Sequence, residues 1–203
     1  MADRTMHGLI CKGVGAFLST RYGEETWAEI GKAAGLGFAH FEATRTYGDA
    51  ILPELFAKAG EVTDTPPAAL AEDFGHWLCT HPPLEPVRRL IRFSGASFEE
   101  MLFSLEELHE RAHMALPDLD LPVFSLIEKG DGAYRIASTW SAPGAGPVLS
   151  GMLRAMADDY GVLAVLDFVK GAEVNGAWTE VISVRMLDPA FAAGRSFELG
   201  GAA

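Results

Sequence analysis

At Pro122 the spacing of apolar residues changes, and that change limits the folds open to the chain. Upstream, apolar residues recur three and four apart, as on one face of a helix; downstream they alternate, as in a half-exposed strand. Helices followed by a run of strands predict an α+β fold rather than alternating βα units: an N-terminal helical part packed on a C-terminal antiparallel sheet with helices. The 203 residues suffice for one large domain or two small ones.

The best-defined helical stretch lies just before the change. Residues 97–124 (SFEEMLFSLEELHERAHMALPDLDLPVF) read as one amphipathic helix, capped by Ser97 with Glu100 reaching back, and ended by Pro117. Phe98, Met101, Leu102, Leu105, Leu108, Ala112 and Leu116 make its apolar stripe, and His109 lies within it. A histidine in such a stripe is either a satisfied core residue or a ligand, and periodicity does not choose between them.

Before that helix, the spacing predicts helices over residues 7–20, over the stretch after Gly23 with Trp27 and Ile30 facing inward, and over 50–59, 68–78 and 84–93. Gly8, Gly13 and Gly15 weaken the first of these and are read either as close-packing positions or as tolerated glycines. Residues 84–93 carry Arg88, Arg89 and Arg92, which read as a solvated face. After Pro122, residues 123–128 and 133–139 form a hairpin about Gly130-Asp131-Gly132. A helix over 148–160 and strands over 162–170 and 178–187 follow, with Asp158 and Asp159 read as surface charge. Residues 1–5 are expected to be a disordered extension and 188–203 a tail with a frayed end. The domain then spans 6–187, helical to about residue 95 and α/β from 96.

A net charge of −12 argues against nucleic acid or an anionic membrane as partner. No run reaches the length of a membrane-spanning helix. Cys11 and Cys79 form no framework and are expected to be reduced thiols of a cytoplasmic protein. His109-Glu110-Arg111-Ala112-His113 matches HExxH, the spacing that sets two imidazoles one helical turn apart for zinc. Pro117 ends the helix almost at once, and the next carboxylates, Asp118, Asp120 and Glu128, fall in a loop or strand. A zinc hydrolase is therefore the weakest of the alternatives.

Taken in order, MHGLICKGV, YGEETWAEI, Tyr47-Gly48-Asp49, EDFGHWL, SFEEML and SLEELH followed by Pro117 and PVF resemble the heme–nitric oxide/oxygen-binding (H-NOX, HNOB) family. These are the heme domains of soluble guanylate cyclase and of bacterial stand-alone homologues. The resemblance covers Met6 to about Leu187. It implies that His109, in an L-D/E-x-L-H segment, is the sole protein ligand of a heme b iron. Leu105 and Pro122 join it on the proximal side, and Ile10, Phe74, Leu78 and Val148 line the distal side. It implies no catalysis. It implies a five-coordinate ferrous heme that takes NO or CO and disfavours oxygen, since Val148 offers no hydroxyl. The partner in trans would be a histidine kinase or a cyclic-di-nucleotide enzyme.

Two departures stand out. The family's Tyr-x-Ser-x-Arg, which anchors the propionates, is replaced by Ser138, Trp140 and Ala142, which leaves Arg135, Lys129 and Arg154 as the candidate substitutes for the cation. His7 stands where a tyrosine is common, as a surface residue, a propionate partner or a second ligand. The missing clamp leaves an alternative function open: a heme-free module that binds a protein or an apolar ligand.

Overall fold

In the computed structural model, which describes residues 5–195, two apolar cores lie side by side and share one pair of helices. The N-terminal core is built by α1 (Gly8–Tyr22), α2 (Glu24–Ala33), α3 (Ile51–Thr63) and α4 (Pro67–Thr80). Phe17, Leu18, Ile30, Leu55 and Leu70 are among its fully buried side chains. Trp27 and Ile30 face inward as predicted, and Trp27 Nε1 donates to the Ala39 carbonyl at 2.8 Å. A two-stranded ribbon closes the edge: β1 (Thr5–His7) pairs antiparallel with β2 (Thr46–Gly48). Thr5, read as extension, is thus a strand residue, and residues 1–4 lie outside the described residues.

The first-helix glycines divide. A Cβ on Gly8 would sit 2.1 Å from the Glu42 carbonyl oxygen, so α1 packs on that loop only because residue 8 is glycine. At Gly13 a Cβ would make ordinary contact, 3.6 Å from the Phe74 ring.

The 97–124 stretch is not one helix. Ser97 caps it as expected, its Oγ accepting from Glu100 N at 3.1 Å, while Glu100 reaches back to Ala96 N at 2.8 Å. Then α6 (Phe98–Ser104) tightens into a 3₁₀ turn (Leu105–Glu107) before α7 (Leu108–Ala115). The predicted stripe ends with it: Leu105 is buried, Leu108 is half-buried, and Leu116 is 44 % exposed.

The C-terminal sheet has strands β3 (Val123–Gly130), β4 (Ala133–Trp140), β5 (Leu163–Val174) and β6 (Ala177–Asp188), all antiparallel, in the order β3-β4-β6-β5. Both hairpins turn through left-handed residues, Asp131 at φ 52° and Asn175 at φ 52°, each next to glycine. One face is covered by α8 (Ala145–Tyr160), where Leu149, Leu153 and Met156 meet Ile136, Leu166, Ile182 and Val184. Between the cores α8 lies against α4 with backbones almost touching. A Cβ on Gly75 would fall 1.9 Å from the Val148 oxygen, and one on Gly151 would fall 1.8 Å from the Glu72 oxygen.

Two charge readings need correction. Arg88, on α5 (Glu85–Arg92), is only 4 % exposed and Asp159, near the end of α8, only 2 %. Arg88 donates to Asp159 Oδ1 from Nε at 2.9 Å and Nη2 at 2.6 Å, and to Glu85 from Nη1 at 2.6 Å. Burial opposes the guanidinium charge, but the hydrogen bonds and charges of Asp159 and Glu85 outweigh it and raise the Arg88 pKa. Arg88 and Arg92 meet the end of α8 instead of water, whereas Arg89 is exposed as read. Residues 189–195 dock there too, with Arg195 N donating to the Asp159 carbonyl at 2.8 Å. The rest of the expected tail lies outside the described residues.

Candidate functional site

His109 sits on the first turn of α7, half-buried, one turn beyond Leu105 in the C-terminal core. Its Nδ1 lies 2.6 Å from the Leu121 carbonyl oxygen, an acceptor, so Nδ1 carries the proton. In the neutral ring that leaves Nε2 with a free lone pair, the arrangement in which a histidine ligates a metal. Pro122 follows Leu121 directly in the chain and is half-buried. His113 is exposed, with its ring parallel to that of His109 and centroids 6.5 Å apart. Among the described residues no three His, Cys, Asp or Glu side chains gather as a metal site, so the HExxH match has no third ligand.

The distal candidates assemble on the other core. Phe74 belongs to its buried cluster, and Ile10, Leu78 and Val148 pack against it. Phe74 also meets Phe17 and Trp77, with ring centroids 5.7 and 6.3 Å away. The candidates thus fall in two clusters, Leu105 in the C-terminal core and the apolar four in the N-terminal one. A separate cleft of about 280 Å³, lined by Arg21, Asp73, His76 and His81 among others, contains none of them.

The cationic candidates do not join them. Arg135 is exposed, on the face of β4 opposite Tyr134, Ile136 and Ser138, because strand residues alternate. Lys129 is exposed near the hairpin turn, and Arg154 is bound to Glu72 at 2.5 Å. His7 caps α1, its Nδ1 accepting from Leu9 N at 3.1 Å.

Three features escaped the sequence reading. Glu106 accepts a hydrogen bond from Leu126 N of β3 at 2.8 Å. Glu180, facing Ser138 across the β4–β6 ladder, caps α8 by accepting from Gly144 N at 3.1 Å and Gly146 N at 2.7 Å. Its position in the apolar alternation of Ile182 and Val184 is the signal that marks it as buried. Ser138 Oγ, Trp140 Nε1 and Trp77 Nε1 are buried with no hydrogen-bond partner among the described residues.

A single histidine held through Nδ1, with no third ligand for the HExxH match among the described residues, is the candidate for a one-histidine cofactor site. Residues 7–164 match the family model HNOB, Haem-NO-binding, and the chain belongs to that family. It is similar to a soluble guanylate cyclase of Caenorhabditis elegans, gcy-31, at 25 % identity over 119 residues, 59 % of this chain and 17 % of that protein. Soluble guanylate cyclase 89Db of Drosophila melanogaster is 21 % identical over 155 residues, 76 % of this chain and 23 % of that protein. The chain therefore spans less than a quarter of the length of these curated relatives. An H-NOX structure of T. Tengcongensis superposes with TM-score 0.74 at 15 % identity, covering 92 % of this chain and all of that one. An oxygen-binding H-NOX domain related to soluble guanylate cyclases gives 0.68 at 14 % identity, covering 94 % and all of that chain. The α+β fold is the H-NOX fold, as the resemblance implied.

H-NOX domains are sensor domains that bind heme, and the residues present fit that group. His109 presents a hydrogen-bonded imidazole, and Ile10, Phe74, Leu78 and Val148 are apolar. Ser138 Oγ and Trp140 Nε1, buried with no hydrogen-bond partner among the described residues, are neutral donors on β4.

Proposed function

We propose that this chain is a heme-based gas sensor that takes NO and CO, with His109 as the only protein ligand to a heme b iron. It would signal in trans, as part of a cytoplasmic protein, to a histidine kinase or a cyclic-di-nucleotide enzyme. The observation that carries the reading is the Nδ1 contact with the Leu121 carbonyl, which leaves Nε2 as the basic nitrogen. Heme, when bound, supplies a ferrous iron with an open position for a diatomic gas. His109 offers the lone pair and keeps its ring fixed through Leu121. Leu105 and Pro122 fill the space beside it. Ile10, Phe74, Leu78 and Val148 exclude water and present carbon alone, so a gas that needs a hydrogen-bond donor finds none on these four. No helix among the described residues is long and apolar enough to cross a membrane.

The test is an absorption spectrum of the purified protein reconstituted with hemin, reduced, and then exposed to NO, CO or air. A five-coordinate ferrous Soret band that shifts with NO and CO but not with air is expected. His109→Ala should lose that band, and added imidazole should restore it. A band that shifts in air overturns the gas preference, and an unchanged band in His109→Ala overturns the ligand assignment. The absence of any guanidinium at the Ser138–Ala142 stretch favours one second reading, a heme-free module for a protein or apolar partner. No Soret band after reconstitution would make that reading the leading one.

A further inference from the structure

The C-terminal sheet has two edges, and the fold treats them differently. The β3 edge is covered, with the 3₁₀ turn and α7 lying against it. β5, at the other end of the order β3-β4-β6-β5, pairs only with β6 among the described residues, and α8 lies over its inner face. The strand is 12 residues long and holds no proline, and its Leu163, Val165, Phe168, Val169 and Val174 are exposed. A long apolar edge of this kind presents amides and carbonyls that another strand can take. One of its carbonyls, that of Leu166, is met by Arg154 Nη2 at 3.2 Å, the long end of the range for such a bond.

The charges of β5 say which strand fits. Asp167 and Lys170 are an odd number of residues apart and would point to opposite faces of a regular strand. A bulge between Phe168 and Lys170 changes that. Asp167 lies opposite Ser183 and Lys170 opposite Val181, so both project from the face away from α8. An acid and a base on one face of one edge are complementary to the same edge running the other way.

We propose that this chain forms a two-fold homodimer by antiparallel pairing of β5 with β5 of a second copy, in the register that sets Asp167 of each copy opposite Lys170 of the other. In that register Val165 falls opposite Ala172 and Leu166 opposite Gly171, and the members of each pair share a face. Other registers oppose like charges. One that sets Asp167 on its own copy repels, and one that sets Lys170 on its own copy also brings Asp167 opposite Glu173. The contact is isologous, so it joins two four-stranded sheets into one continuous sheet and then stops, because only the covered β3 edges remain. The proposal does not rest on the heme reading, since no residue of β5 belongs to the candidate site.

The experiment is sedimentation velocity of the whole chain from micromolar to submillimolar concentration, with circular dichroism to check that each variant is folded. The wild type should pass from monomer to dimer and no further. Asp167→Lys turns two attractive pairs per dimer into two repulsive ones and should raise the dissociation constant roughly tenfold or more. Lys170→Asp should do the same with acids. Both positions are exposed, so neither change disturbs the core. The double exchange, Asp167→Lys with Lys170→Asp, recreates both opposite pairs and should bring the dimer back to near wild-type affinity. A wild type that stays monomeric at every concentration overturns the proposal, and so does assembly beyond a dimer. A dimer that survives either single change at wild-type affinity places the interface elsewhere and overturns it too. Failure of the double exchange to restore a dimer lost in the single variants overturns the register.

Discussion

Removing Arg88 should leave one of the few buried charges of the fold without its main partner. Asp159 is 2 % exposed, and both hydrogen bonds to its Oδ1, at 2.9 and 2.6 Å, come from Arg88. Breaking a buried ion pair by deleting one side costs about 3–5 kcal/mol, because the remaining charge stays desolvated. Two other cations remain near Asp159, Arg92 Nε at 3.4 Å from Oδ2 and Arg195 Nε at 3.8 Å from Oδ1, and neither distance is that of a strong hydrogen bond. They relieve part of the penalty, so Arg88→Met is expected at the lower end, about 3 kcal/mol. For a chain of this size that is a fall of roughly 6–12 °C in Tm. Urea unfolding followed by circular dichroism reads it directly. Arg88→Met with Asp159→Leu removes both charges and should recover most of the loss. Arg88→Met within about 1 kcal/mol of wild type would refute the reasoning, since it would show that Asp159 reaches water or neutralises at no cost.

Two further predictions concern the joint between the cores and its thiols. Gly75→Ala and Gly151→Ala each drive a methyl into backbone oxygen, at 1.9 and 1.8 Å, and should each lower stability by about 1–3 kcal/mol in urea. Gly37→Ala, with nothing within 4 Å of its Cβ, is the control, and equal effects at all three positions would sink the close-packing argument. Burial pushes the Cys11 and Cys79 thiols up to about 12, from an ordinary 9.0, with the charge of Asp159 adding to the effect at Cys79. Between pH 9 and about 12 the unfolded chain sheds protons that the folded chain keeps, so stability should fall as pH rises through that window. The phenols of buried Tyr134 and half-buried Tyr160, also pushed up by desolvation, act in the same direction. Urea midpoints that stay level from pH 8 to 11 would count against it, as would reaction of either thiol with a thiol reagent in the folded protein at pH 8.

Local signals in the sequence were reliable where one residue type had one structural use. Gly130-Asp131-Gly132 and Asn175-Gly176 are turns because left-handed φ values admit few residues, and both hairpins form there. The change of period at Pro122 marks the start of the sheet, and Ser97 caps its helix. The 3₁₀ turn inside the central stretch left no mark, because Leu105 and Leu108 share a face whether the winding is three or four residues per turn. Strands of three residues, β1 and β2, are too short to show alternation. The Arg88–Asp159 pair joins residues 71 apart, so neither its partner nor its burial is written in the local pattern. A basic helix such as α5 reads as solvated until another element is laid on its charged side.

That pair also shows how α8 serves both halves of the molecule. Its first turn carries Val148 to the N-terminal cluster, its middle supplies Leu149, Leu153 and Met156 to the sheet, and its last turn holds Asp159 for α5 and for residues 189–195. Glu180 fixes the first turn to β6, and Gly75 and Gly151 let α4 press on the helix with no side chain between. A close-packed helix held at both ends transmits a displacement and does not absorb it. Movement of Val148 against Phe74 would therefore reach the Asp159 end, where residues 189–195 dock.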